Sequence, residues 1–186
     1  MGRYKKRSAV GLCLAAMALT VIWGAQSLLW AAQPEEDQDL VTIAGMPGNG
    51  YRDGMGNEAR FAGPTGLDVK DRAVVIADTE NNLIRSLSGQ RVITTAGSRK
   101  EENAYGNGLG AFMDSNHSRA MLDGPVDCVY MDNGNIAIAD RNNHAIRIVG
   151  KSWVFTLNGT GVEGYEEGKP GQAKFSYPSG IAKGLS

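Results

Sequence analysis

The sequence predicts an all-β chain built from repeated blades of four antiparallel strands, the β-propeller architecture, left open rather than closed into a ring. Three observations predict it. A set of spaced residues recurs along the chain, and self-similarity of this kind outranks local propensity in deciding a fold. Each recurrence holds four short strand-like runs separated by turn residues. No segment after Pro34 sustains a helical period.

The recurrence is visible residue by residue. Anchor glycines stand at Gly45, Gly97 and Gly159, spaced 52 and 62 apart, and anchor prolines at Pro64, Pro125 and Pro178. Three residues before each proline is a large apolar residue (Phe61, Leu122, Phe175), and five before is alanine (Ala59, Ala120, Ala173). Three after each is another apolar residue: Leu67, Cys128, Ile181. Two copies continue into Asp78 and Asp140, Asn81 and Asn143, and Arg85 and Arg147, each pair 62 apart. The glycine-to-proline distances are 19, 28 and 19, so the second copy carries nine extra residues between Gly97 and Gly124. Insertions in one copy of a repeat fall in loops, because an added residue inside a strand would exchange its two faces. The insertion is therefore placed in a loop spanning about Lys100–Arg119.

Within the first unit, residues 66–69 form a short strand with apolar residues two apart. The polar turn 70–72 follows. The continuous apolar run 73–77 is that of a strand covered on both faces. Residues 78–82 turn the chain, since Asp and Asn bond their own backbone and tolerate left-handed dihedrals. Residues 83–87 and the β-branched run 91–95 complete the blade. The second copy repeats the order with 128–130, 135–139, 145–149 and 153–157. Leu40–Ala44 matches the last strand of a further unit, and Ser179–Gly184 the first strand of another. The strand count is thus about ten, or two and a half blades.

These residues resemble the NHL repeat family. The matching features are Ala44-Gly45, Asp53-Gly54, Ala59-Arg60-Phe61, Pro64-Thr65-Gly66-Leu67, Ala77-Asp78-Thr79, Asn81-Asn82-Leu83-Ile84-Arg85 and Thr94-Thr95-Ala96-Gly97. The second copy adds Asp140, Asn143-His144 and Ile146-Arg147. The likeness covers about residues 40–184. Asn82 stands where the family has histidine, Asp127 where copy one has Gly66, and Asn158 where a small alanine precedes the closing glycine. The resemblance implies six-bladed propellers that mostly serve as binding platforms, with a few enzymes among them. It also implies that the lone N-terminal strand closes the ring against the last blade in complete relatives.

The chain divides into residues 1–32, a linker at 33–39 and the propeller segment 40–186, with units at about 45–97, 97–159 and 159–186. Arg3, Lys5, Lys6 and Arg7 precede a long apolar run from Ser8 to Ala32, with small residues at Ala25-Gln26-Ser27 and Ala31-Ala32 for cleavage. This has the form of a secretory signal peptide, with an uncleaved membrane anchor as the alternative because the run is long enough to span a bilayer. Cys13 lies too early for a lipoprotein site. Beyond residue 32 the chain has 15 Lys and Arg against 20 Asp and Glu, a net charge of −5. That balance argues against a nucleic-acid partner, which calls for a basic face. Cys128 is the one cysteine left after cleavage and is assigned to the core, so no intramolecular disulfide staples the segment.

No residue is assigned as catalytic, cofactor-binding or metal-binding. Asp78 and Asp140, beside Asn81 and Asn143, could hold a cation, but a feature repeated in every blade serves the blade, and both are assigned to capping the same turn. Arg85 and Arg147 are expected to make ion pairs between blades. His117 and His144 with one buried cysteine do not compose a zinc site, and the lyase members of the family use several histidines and a metal. Gly106-Asn107-Gly108-Leu109-Gly110 lacks the lysine and the strand-to-helix setting of a phosphate loop. Asn116-His117-Ser118 and Asn158-Gly159-Thr160 are glycosylation sequons, relevant to a eukaryotic chain. The expected function is a non-catalytic binding or scaffold module, exported or at a cell envelope, whose partner is a protein or glycan and whose open blade edges favour self-association. The alternatives are the remnant of a six-bladed lyase or lactonase and a truncated product without independent function.

Overall fold

The computed structural model describes residues 41–99 and 108–184. The segments assigned to the signal, 1–32, and to the linker, 33–39, lie outside the described residues. Among the described residues no helix is long and apolar enough to cross a membrane.

Among the described residues ten strands form two antiparallel sheets, with one blade to each sheet. Blade one holds β1 (Gly54–Met55), β2 (Gly66–Lys70), β3 (Ala73–Asp78), β4 (Leu83–Ser88) and β5 (Arg91–Ala96) in the order β1-β5-β4-β3-β2. Blade two holds β6 (Ser115–Asn116), β7 (Pro125–Tyr130), β8 (Ile136–Asp140), β9 (Ala145–Val149) and β10 (Trp153–Asn158) in the equivalent order β6-β10-β9-β8-β7. The four-stranded blade is thus present twice, and each gains a two-residue outer strand that the sequence pattern missed. A two-residue strand carries no periodicity; β1 and β6 exist because Gly54 and Ser115 fall opposite Val92 and Val154.

Two predicted strands are corrected. Residues 41–44 and 179–184 hold no strand, because no neighbouring strand among the described residues offers them a ladder. The insertion is also narrower than expected. Arg52 bridges Arg60 just as Met113 bridges Met121, so residues from about Phe112 onward belong to the blade frame. All nine extra residues lie before Asp114, and Lys100–Asn107 are outside the described residues.

The core follows from strand parity. Directly paired residues share a face, so in blade one Val75, Ala77 and Ile84 point one way and Leu67, Val69, Val74, Ile76 and Leu87 the other. The first face packs against blade two. Val75, Ala77, Ile84 and Ala96 join Ala120, Leu122, Cys128, Ile136, Ile138, Val149 and Val154 in one buried cluster. The second face of blade one is covered only near its outer strands, by Ala44, Ala59 and Phe61. The contrast at equivalent positions is large: Leu67 is 64% exposed and Cys128 2%. β7 packs directly against β2 and β3. Gly66 is required there, since a Cβ on it would come within 2.6 Å of Asp127 Cα and of the Val126 carbonyl oxygen.

Polar contacts lock the two blades along the inner strands. Asp68 accepts the Tyr130 N–H at 2.7 Å, and the Thr65 and Thr79 hydroxyls donate to the carbonyls of Val126 and Pro125. Lys70 donates to the carbonyls of Met131 and Asp132. The third unit continues the frame. Glu166 bridges Lys174 in the register of the earlier copies, Ala173 is buried, and the Ile181 N–H donates to Asp127.

Candidate functional site: the β3–β4 end of the blades

The repeated polar residues converge at the end of each blade where β3 turns into β4. Asp78 closes β3 and is followed by a single 3₁₀ turn, Thr79–Asn81. Its Oδ1 accepts the Ala62 N–H at 2.8 Å, and its Oδ2 accepts Asn81 Nδ2 at 2.9 Å and Arg85 Nη1 at 2.6 Å. Blade two repeats this with Asp140: the Asp123 N–H at 2.8 Å, Asn143 Nδ2 at 2.8 Å and Arg147 Nη1 at 2.6 Å. Each carboxylate ties the loop before its blade's inner strand to the turn side chain and the arginine; it does not cap the backbone of its own turn. This corrects the turn-capping assignment.

The arginines are corrected too. Arg85 pairs with Asp78 and, through Nη2, with Asp53 at 2.6 Å. Arg147 pairs with Asp140 and with Asp114 at 2.8 Å. Every partner lies in the arginine's own blade, because the Asp53 and Asp114 hairpins fold back over the outer strands. Both carboxylates also hold the fourth strand: Asp53 accepts from Thr94, and Asp114 from Thr156. Burial pushes the Asp140 carboxyl up to about 6 against the pull of Asn143 and Arg147. Burial moves Asp78 in the same direction. An aromatic ring sits over each guanidinium, Tyr51 over Arg85 at 4.9 Å and Phe112 over Arg147 at 5.0 Å. The third copy places Tyr165 at this position and Glu167 at that of Asp53 and Asp114; Tyr165 is 92% exposed.

The base of the insertion is fastened to this network. The Arg99 guanidinium lies 4.1 Å from the centre of the Tyr51 ring and donates to Asn81 Oδ1 at 3.0 Å. Asn82 Nδ2 donates to the Gly108 carbonyl at 2.7 Å. Both ends of the insertion are therefore pinned to the β3–β4 turn of blade one. Beside it opens a cleft of about 300 Å³ between the outer parts of the two blades, lined by Tyr51, Thr94, Thr95, Arg99, His117 and Ser118. Its polar side chains are bonded within the protein, Thr94 to Tyr51 and Asp53, Thr95 to Ser86, Ser118 to Asn116, Arg99 to Asn81 and His117 to Gly150, so a polar ligand would share or displace these bonds. His117 Nε2 lies 2.8 Å from the Gly150 carbonyl, which accepts only, so that nitrogen carries the proton. A larger hollow of about 760 Å³ lies on the uncovered side of blade one, walled by the glycine-rich backbone of 42–49 with Phe61 and Pro64.

The remaining candidates separate. His144 sits at the next blade junction and His117 in the cleft. Among the described residues no group of His, Cys, Asp and Glu is arranged to hold a metal ion. Cys128 is buried, and burial with the charges of Asp127 and Asp68 pushes its thiol up to about 12. Asn116 is exposed and accepts the Ser118 hydroxyl at 3.2 Å, whereas Asn158 Oδ1 is held by the Gly159 and Gly171 N–H groups. The glycine-rich run at 106–110 forms no phosphate cradle in its described part: Gly108 packs against the Asn81 carbonyl and Gly110 against Asp123. The role of Arg99 was missed in the sequence. Its only signal was position, two residues past the anchor Gly97.

No protein-family model matches the chain. It is 30% identical over 153 residues to Protein SUPPRESSOR OF QUENCHING 1, chloroplastic, of Arabidopsis thaliana, a match covering 73% of this chain and 14% of that protein. It is 43% identical over 58 residues to NHL repeat-containing protein 2 of Gallus gallus, covering 31% of this chain and 8% of the relative. The human protein of the same name is 40% identical over 55 residues, 28% of this chain and 8% of its own length. The chain thus spans a small part of each curated relative it matches. Among solved structures, a structural genomics protein of unknown function from Bacteroides thetaiotaomicron superposes with a TM-score of 0.50 at 19% identity, covering 59% of this chain and 26% of that one.

Proposed function

We propose that this chain, which carries NHL repeats on the blades of an open β-propeller, is an exported, non-catalytic binding module for a protein or glycan, engaged at the β3–β4 end of its blades. The observation that carries this reading is the clamped insertion. Its base is held from one side by Arg99 on Tyr51 and Asn81, and from the other by Asn82 on Gly108. Both flanks of the insertion are thus tied to a rigid blade, which presents the intervening residues at one end of the blades, where loops carry binding function. The hydroxyl-lined cleft beside it supplies adaptable hydrogen bonds. The repeated carboxylates are engaged by buried arginines, which favours a framework role for them over a catalytic one. Export rests on the basic and apolar character of residues 1–32. The net charge beyond residue 32 disfavours a nucleic-acid partner.

The test is binding of the full chain to a glycan array and to a displayed peptide library, repeated with Arg99→Ala and with residues 100–107 replaced by a short Gly-Ser linker. The expected result is at least one ligand class bound by the parent chain and lost in both variants, with unchanged circular dichroism. Binding that survives both changes would move the site elsewhere. Silence on both arrays would reject a glycan or linear-peptide partner.

A further inference from the structure

We infer that the contact between His144 and Tyr177 is an acid-sensitive clasp holding the third unit, residues 159–184, against blade two. The argument starts from a pair of equivalent positions. Asn82 and His144 stand 62 residues apart in the repeat, and both adopt the left-handed conformation, with φ of 55° and 49°. Each reaches forward to the residue that precedes the anchor proline of the next unit. Asn82 Oδ1 accepts the Gly124 N–H at 2.6 Å, and His144 Nδ1 accepts the Tyr177 N–H at 3.3 Å. The same side-chain position therefore joins each blade to its successor. One junction uses an amide, the other an imidazole, a side chain that can take up a proton on its accepting nitrogen.

The second junction is also under more strain. Gly63 and Gly124 fill the pre-proline position of the first two units with φ of 52° and 58°, and Tyr177 holds φ of 47° there with a full side chain. A non-glycine residue in this region costs about 1 kcal/mol. Three contacts oppose that cost: the His144 acceptor, the His144 ring edge-on to Tyr177 at 4.5 Å, and the Arg141 guanidinium over the Tyr177 ring at 5.5 Å.

Protonation reverses the first contact. A neutral ring with a lone pair on Nδ1 accepts from Tyr177; the imidazolium carries a proton on both nitrogens and faces that N–H with one of its own. Its new charge shares the Tyr177 ring with Arg141. The charged groups around it are committed elsewhere. In blade two, Asp140 pairs with Arg147 and holds Asn143 beside His144. Its carboxyl, pushed up to about 6, takes up a proton in the same range as histidine, and His144→Asn, which keeps Asp140, separates the two groups. In the third unit, Glu166 pairs with Lys174, Glu163 accepts from Ser176, and Lys183 pairs with Asp132. Among the described residues no carboxylate pairs with His144. Acid therefore releases the Tyr177 contact, while the Asp127 bond to the Ile181 N–H remains as the second anchor.

The experiment is residue-resolved amide exchange by NMR on the full chain, corrected for intrinsic rate, between about pH 7.5 and 5, the range over which histidine changes charge. Tyr177 protection should fall by about tenfold in acid, the loss of one hydrogen bond, with the midpoint of the His144 ring shifts, and Gly124 protection should hold. In His144→Asn, which copies blade one, Tyr177 protection should be independent of pH. A Tyr177 amide equally protected at both ends of the range would overturn the clasp, as would parallel loss at Gly124 or an unaltered acid response in His144→Asn. If that variant fails to fold, the His144 titration in the parent chain decides: ring shifts that titrate without any change at Tyr177 would reject the proposal.

Discussion

The guanidinium of Arg85 meets the carboxylate of Asp78 at 2.6 Å with both side chains wholly removed from solvent, and Arg147 meets Asp140 identically in the next blade. Arginine does not shed its charge in proteins; deleting Asp78 or Asp140 leaves it only the partly exposed Asp53 or Asp114, and deleting the arginine leaves a buried carboxylate without its cation. Arg85→Met should lower stability by about 3–5 kcal/mol in urea unfolding of the full chain. Lys174→Ala, which removes the solvent-exposed pair to Glu166, should leave the midpoint unmoved. Equal midpoints for the two variants would refute the structural weight placed on the buried pair.

Asn82 combines a left-handed backbone with two side-chain hydrogen bonds, accepting from the Gly124 N–H and donating to the Gly108 carbonyl. Asn82→Gly keeps the backbone and loses both hydrogen bonds, at about 1 kcal/mol each. Asn82→Ala loses the same bonds and strains the backbone as well, and should cost about 1 kcal/mol more. Chemical denaturation of both variants checks the order. An alanine variant as stable as the glycine one would show that the dihedral is relieved by local rearrangement.

Cys128 is a reporter of the joint between blades. Its thiol is buried and pushed up to about 12, so it stays protonated through ordinary alkaline buffers. In a chain carrying Cys13→Ser, labelling by iodoacetamide should be slow at about pH 7 and remain far slower than a free thiol's at about pH 9, where a thiol near its ordinary value is largely thiolate. Labelling should rise when urea separates the blades. Labelling without denaturant as fast as that in urea would mean that β7 does not stay seated on blade one.

Gly66 marks the closest approach of the blades, where a Cβ would fall 2.6 Å from the Asp127 backbone. Gly66→Ala should push β2 away from β7, cost about 1–3 kcal/mol as overpacking does, and speed Cys128 labelling. Gly89→Ala, in an open turn where nothing lies within 4 Å of the added carbon, should leave labelling unchanged and act only through its φ of 59°. Both variants labelled at the parent rate would remove the steric argument.

Much of this architecture was legible before any coordinates. The apolar runs 73–77 and 145–149 announce strands because β-branched and alternating residues fit a pleated, covered surface, and the recurrence of Asp78, Asn81 and Arg85 at Asp140, Asn143 and Arg147 announces a shared turn. The destination of the arginines was not legible. Asp53 lies 32 residues before Arg85, and a hairpin bringing it back over the outer strand leaves no local signature. Asp114 was hidden by the insertion, although it stands eleven residues before Pro125 just as Asp53 stands eleven before Pro64. Hydrogen bonds across the joint, such as that from Gly124 to Asn82, depend on where one blade's turn overhangs the next. Residues 41–44 and 179–184 show the reverse failure. Their composition suits a strand, but a strand exists only where another backbone shares its ladder.

Leu67 and Cys128 occupy one place in two copies of one frame, the first bare and the second sealed. The chain therefore carries its own reference experiment. With the same residue placed at both, as in Leu67→Cys, truncation to Ala at the bare member measures what a side chain contributes within a single blade, and the same change at the sealed member adds what the neighbour contributes. Their difference is a coupling energy between repeats, obtained from one polypeptide under one set of conditions.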